Sequence, residues 1–175
     1  MSNPSIEMIC TVDDKNEVIG SIDIIEYYLL PEKERPYIRS VGAFVLNDAG
    51  MLWVPRRAIH KKVLPGGLDY SVGGHVRAGE SYRDAIVREA YEEIHWGLNA
   101  KQLEEVATFP ATRFMPYFRT LYIYRSNEVP EVNPEDHSEI LQISLQDLKA
   151  RLESGESSKK SLHEAVSFLI DGGFQ

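Results

Sequence analysis

The chain has 175 residues, a length that suits one domain, with 43% of residues hydrophobic and 26% charged. A formal net charge of -8 argues against a general nucleic-acid binder, and a single cysteine, Cys10, leaves no disulfide framework and no cysteine-rich zinc site. The longest strongly apolar runs, such as "VGAFVL", fall far short of the about 20 residues a membrane helix needs. "MSNPSIEMICTVDDKNE" lacks the basic start and apolar run of a signal peptide, so a cytoplasmic protein with no membrane partner is expected.

Along the chain, "EMICTVDDKNEVIGSIDII" reads as strand, polar turn, strand, and "EYYLLPEKERPYIRS" as a connector marked by Pro31 and Pro36. "YIRSVGAFVLNDAGMLWVPRR" places two β-rich runs around the turn signal "NDAG", a hairpin. "AIHKKVLPGG" is a basic loop, and "LDYSVGGHV" a short strand running into glycines. Ser81 with Asp84 three residues on is a looser capping box and starts a helix. "QLEEVATF", "YFRTLYIYR" and "EILQIS" read as strands. Ser144 with Asp147 caps a helix ended by Gly155. Leu162, Ala165, Val166, Leu169 and Ile170 share one face of a last helix, stopped by Gly172 and Gly173. Strands and helices mix without strict alternation, which predicts an α/β fold with a mixed sheet and helices against it. The expected layout is a single domain over 1–175. Residues 1–37 form a strand–turn–strand extension, 38–155 the core and 156–175 the C-terminal helix.

The helix after Ser81 carries the chemistry. Each helical residue advances about 100°, so with Ile86 at zero, Ala90 falls near +40° and Glu93, Glu89 and Glu92 near about -20°, -60° and -120°. The carboxylates lie on the inward side, where unpaired burial is costly and like charges at i, i+3 and i+4 repel. Arg88, near about -160° on this wheel, compensates one of them, with Glu92 at i+4 the candidate. Hard divalent cations such as Mg²⁺ or Mn²⁺ suit the remaining oxygens. Gly73, Gly74 and Gly79 precede the helix, where glycine allows close backbone approach to a ligand.

Gly74, Glu80, Arg88, Glu89, Ala90, Glu92 and Glu93 stand at the spacings of the Nudix box, and the chain resembles the Nudix hydrolase superfamily over residues 38 to 155. The resemblance implies an α/β/α sandwich with a central mixed β-sheet. It also implies a metal-dependent enzyme that hydrolyses a nucleoside diphosphate linked to another moiety. Glu89 and Glu93 then correspond to metal ligands, and Glu92 to a further ligand or the base that activates water. The Gly74 carbonyl corresponds to one more ligand, and Arg88 with Glu80 to the pair that orients the helix. Glu92, Glu93 and Arg88 make up the implied catalytic set. The family's box ends Glu-Glu, any, Gly, apolar. Here the run is "EEIHWGL", with His95 in the glycine's place, so the helix is expected to run one turn further.

"RRAIHKK" is the densest basic run, and Arg56, Arg57, Lys61 and Lys62 are the candidates to clamp a diphosphate. His75 is a further metal or phosphate contact. Glu135, Asp136 and Glu139 could supply one more carboxylate, and Tyr70, Trp96 and Tyr117 could stack on a base. "RRAIHKKVLPGGLDYSVGGHVRAGE", with its Gly74–His75 pair, is also similar to isopentenyl-diphosphate isomerase and the hydrolases close to it. The isomerase's catalytic Cys before Gly-His is Gly73 here, and its glutamate pair is missing from "MPYFRTLYIYR". A non-catalytic sensor of the same fold is the third reading, but such proteins lose box carboxylates that this chain keeps. A homodimer is left open.

Overall fold

Alternating side chains write the strands, and the sheet they build positions the rest. In the computed structural model, which describes residues 7–174, β1 (Met8–Val12) and β2 (Val18–Asp23) form the expected hairpin. The segment read as a connector holds a short helix, α1 (Ile24–Leu29). Asp23 caps it, accepting from the N–H groups of Ile25 and Glu26, and Leu30 turns extended ahead of Pro31. The residue missed as a signal was Asp23, hidden at the end of a strand.

β3 (Tyr37–Leu46) and β4 (Met51–Arg57) are the second hairpin. Asn47 Oδ1 closes its turn by accepting from the N–H groups of Ala49 and Met51. β5 (Val72–His75) leads into α2 (Tyr82–Ile94), and β6 (Glu104–Phe109), β7 (Tyr117–Arg125) and β8 (His137–Ser144) follow. α3 (Leu145–Glu153) and α4 (Lys160–Asp171) end the chain, as their caps and apolar spacing predicted.

β3 is the hub of the sheet. β7 runs parallel along its whole length on one edge, while β1, β5 and β4 succeed one another antiparallel on the other. β8 adds to β4, and β6 to β7, both antiparallel. Alternation along β3 sends Val41 and Ala43 to one face, where they meet Val72, Ile86, Ala90 and Ile94 under α2. Phe44 and Leu46 go to the other face, with Leu121, Ile123, Leu148, Leu162 and Val166 under α3 and α4. The architecture is therefore an α/β/α sandwich around a central mixed sheet.

Both ends of α2 bear on the site. Ser81 Oγ accepts from the Asp84 N–H at 3.1 Å, and Asp84 Oδ2 accepts from the Ser81 N–H at 3.3 Å, a full capping box. At the other end His95 takes φ 54°, the left-handed cap that glycine usually fills, so α2 stops at Ile94 and does not run a turn further.

Candidate active site

β5 passes directly under α2, and its glycines set how close the two come. A Cβ on Gly74 would stand 2.1 Å from Glu89 Oε1, so that carboxylate lies over the strand only because the residue is glycine. The Gly73 N–H donates to Glu93 Oε2 at 2.9 Å. Arg88 gathers the remaining groups. Its Nε donates to Glu80 Oε1 at 2.7 Å, and its Nη1 to Glu89 Oε1 at 2.7 Å and Glu92 Oε2 at 3.1 Å. Its Nη2 reaches the His75 carbonyl at 2.8 Å. Although its position on the helix points away, the long side chain returns to bind Glu89 as well as the expected Glu80 and Glu92.

The electrostatics follow burial. Burial pushes the Glu89 carboxyl up, and Arg88 only partly offsets this. Glu93 is held well above the usual carboxylate range by burial first, then by Asp69 and Glu89. Burial also acts on Glu80, but hydrogen bonds from Arg88 and the Arg77 N–H outweigh it and hold that carboxyl low. Glu92 stays exposed, between Arg88 and Arg77. Glu89 and Glu92 thus meet at Arg88 above Gly74, while Glu93 turns its carboxylate to the Gly73 N–H. Among the described residues, no three Asp, Glu, His or Cys side chains converge into a ready-made cation cage.

A cleft of about 670 Å³ opens beside these groups, within the range of small-molecule sites. Arg35, Arg57, Arg77, Arg119, Lys159 and Lys160 line it against Glu7, Glu89 and Glu92, a cationic surplus in an acidic protein. Asp69, 2% exposed, bonds Arg57 Nη1 and Lys159 Nζ, each at 2.9 Å. Burial lowers Lys159, but Asp69 and Glu93 outweigh it and raise the ammonium's pKa. His75 lines the cleft with Nε2 3.2 Å from the Tyr28 hydroxyl. Burial, with Lys159 and Arg88 nearby, lowers its pKa to about 4, so its ring is neutral at pH 7.

Of the four basic-loop candidates, Arg57 alone lines the cleft. Arg56 is held by Glu139 and Glu156, each at 2.8 Å, and Lys61 by Asp136 at 2.6 Å. Their charges are matched elsewhere, and exposed Lys62 does not line the cleft. Glu139 and Asp136 are the partners of those cations, which accounts for two of the three extra carboxylates. Tyr117 lines the cleft, Trp96 packs against the α2 core, and buried Tyr70 lies at the cleft's base, its hydroxyl donating to the Ser161 carbonyl at 2.7 Å.

Reading by sequence missed Asp69, Lys159, Arg119, Arg35 and Tyr28. Asp69 and Arg119 did leave a signal, each a lone charge within an apolar strand-like run ("LDYSV", "YFRTLYIY"). Lys159 left none, because nothing local tells it from other surface lysines.

An α/β/α sandwich with a carboxylate-bearing helix over a glycine strand and a cationic cleft suits an enzyme that hydrolyses phosphoanhydrides, and the relatives of the chain agree. The NUDIX domain family model matches residues 36–165, and the chain belongs to the Nudix hydrolases. A Nudix hydrolase of Deinococcus radiodurans is 36% identical over 167 residues, 95% of each chain. A crystal structure of a Deinococcus radiodurans protein, 36% identical, superposes with a TM-score of 0.79 over 92% of this chain and 98% of that one. An isopentenyl-diphosphate Delta-isomerase of Paenarthrobacter aurescens is 31% identical over 113 residues, 65% of this chain and 54% of that protein. This shorter likeness does not place the chain in a subgroup beside the isomerases. No helix among the described residues is long and apolar enough to cross a membrane.

Proposed function

We propose that the chain uses Mg²⁺ or Mn²⁺ to hydrolyse the diphosphate linkage of a nucleoside diphosphate joined to another moiety. One observation carries the reading: Glu89 lies over the Gly74 backbone and lines, with Glu92, a cleft that carries surplus cations. These donors fit a hard cation because they are all oxygen, and because at Glu93 burial and the Asp69 and Glu89 carboxylates outweigh the Lys159 ammonium, which leaves room for more positive charge. Glu89, Glu93, Glu92 and the Gly74 carbonyl would hold the ion. When bound, such an ion neutralises diphosphate oxygens and lowers the pKa of bound water.

The chain's own groups supply the rest of the reading. Arg88 fixes Glu89 and Glu92 and, through the His75 carbonyl, the strand below them. Glu92, the exposed carboxylate, serves in this reading as a further ligand or as the base that takes a proton from the attacking water. Arg57 offers a guanidinium to phosphate oxygens, anchored by Asp69. Neutral His75 donates or accepts a hydrogen bond without changing the cleft's charge. Arg56, Lys61 and Lys62 have no part in this reading.

An isomerase would need a thiol beside the glutamates. Cys10 is buried in the α2-side core and is absent from the cleft lining. Incubation with a panel of nucleoside diphosphate derivatives and Mg²⁺ or Mn²⁺, with products identified by mass, tests the proposal. Cleavage that stops in EDTA is expected. Full activity in EDTA, or no cleavage of any panel member, would overturn it.

A further inference from the structure

Two buried donors on the cleft floor lack partners. Among the described residues, Ser40 Oγ and Arg119 Nε make no hydrogen bond, and both residues line the cleft. Arg119 is 2% exposed, with Nη2 tied to Glu164 Oε2 at 2.7 Å and its guanidinium 4.5 Å from the Phe109 ring centre. That anchoring fixes the guanidinium beside the cleft. An unpaired donor on a buried guanidinium is costly, and the cost is relieved where a ligand brings an acceptor.

The strand register sets these groups in one row. Ser40 stands opposite His75 of β5 on one side and opposite Arg119 of β7 on the other. Residues in register share a face, and this is the face of Phe44 and α4, away from α2. α4 begins above the row with no side-chain cap, and Ser158 through Ser161 line the cleft. The N–H groups of Lys160 and Ser161 in its first turn and the positive end of its dipole favour an anion, while those of Lys159 and Leu162 bond the Leu68 and Lys159 carbonyls. Lys159 stands at that helix start, held by Asp69 at 2.9 Å. Of the nearby carboxylates, Glu164 bonds Arg119, Asp69 is shared by Arg57 and Lys159, and Glu93 accepts from the Gly73 N–H.

We propose that Ser40, Arg119, Lys159 and the start of α4 form a second anion subsite. It takes a phosphoryl or carboxylate group carried by the substrate apart from its scissile diphosphate. The subsite's place in the reaction rests on the diphosphate reading, but its binding can be read without catalysis. Substrates whose second moiety bears its own negative charge are the class selected.

Calorimetric titration of the metal-free protein with inorganic phosphate reads this subsite without catalysis, and Ser40→Ala, which alters neither Arg57 nor the glutamates, assigns the binding to it. Wild type binds phosphate at one saturable site. Ser40→Ala gives effects of opposite sign: the ligand-free protein melts higher, since an unpaired buried hydroxyl is gone, while phosphate binds about 3–10-fold weaker. Lys159→Met weakens phosphate by about 10-fold or more and flattens its salt dependence, and Lys159→Arg restores most of the affinity. Acetate titrated in parallel separates the sources: tighter phosphate assigns a phosphoryl group, tighter acetate a carboxylate. No saturable binding of either anion to wild type would overturn the inference, as would unchanged affinity in Ser40→Ala and Lys159→Met. If phosphate binds as described but no diphosphate is cleaved with Mg²⁺ or Mn²⁺, the hydrolase proposal falls and the subsite stands.

Discussion

Glu93 occupies a position where a negative charge is hard to keep. Burial, Asp69 and Glu89 raise its carboxyl, so the metal-free protein holds it protonated well above the ordinary range. A folded pKa above the unfolded one contributes stability at low pH that is lost as pH rises through the folded value. Glu93→Gln therefore should melt no lower than wild type at neutral pH without metal. Its turnover should fall about 10²–10⁴-fold, the usual cost of losing a ligand or base. Parallel melting and steady-state measurements check both, and wild-type turnover in the variant would contradict the role. Metal loading should also expel the Glu93 proton, seen by calorimetry in buffers of different ionisation enthalpy. Gly74→Ala is a second test at this scale. Its methyl would press on the Glu89 carboxylate, so turnover should drop about 100-fold or more for a displacement of about 1 Å. The glutamates were legible because helical spacing turns sequence into direction. Ser40 and Arg119 were not, because their unpaired state depends on which strands flank β3.

At the scale of elements, local chemistry was read well and long-range pairing poorly. The capping box of α2, the Ser144 cap of α3 and the apolar face of α4 all follow from neighbours within a few residues. The end of α2 did not, since His95 enters the left-handed region without the glycine that normally announces it. His95→Gly should relieve that strain and stabilise the protein by about 0.5–1 kcal/mol. This amounts to a rise of roughly 1–4 °C in melting temperature for a chain of this size. An unchanged or lower melting temperature would show that the histidine contributes contacts that offset its backbone. The basic loop after β4 is another case. Five cationic or imidazole side chains in seven residues looked like one clamp, but Arg56 and Lys61 tie the loop to β8 and its preceding segment. Arg56→Ala should lower stability by about 1 kcal/mol while leaving the Michaelis constant unchanged.

For the whole molecule, the cleft draws on β3, β5, β7, α2 and the start of α4 together. Residues over 80 positions apart, such as Asp69 and Lys159, meet there, and a reading along the chain does not bring them together. Burial of imidazoles also sets how the fold responds to acid. His137 is 1% exposed, and burial lowers its pKa to about 4. Between pH 6.5 and 4 the unfolded chain takes a proton that the folded one refuses. The histidine contribution to stability should therefore fall with acid over that window, by up to about 1.4 kcal/mol per pH unit for each such group, against the opposite contribution of the raised Glu93 carboxyl. His75 acts in the same direction. Urea unfolding across this range should give a slope reduced by about one proton in His137→Leu; an identical slope would contradict the assignment. The central claim is that this cleft hydrolyses a diphosphate bond. Its most direct test is incubation with nucleoside diphosphate derivatives such as ADP-ribose, and separately with isopentenyl diphosphate, in ¹⁸O-enriched water with Mg²⁺ or Mn²⁺. The account predicts one ¹⁸O in a product phosphate of the cleaved diphosphate and no change in isopentenyl diphosphate; dimethylallyl diphosphate formed without label in any product would contradict it.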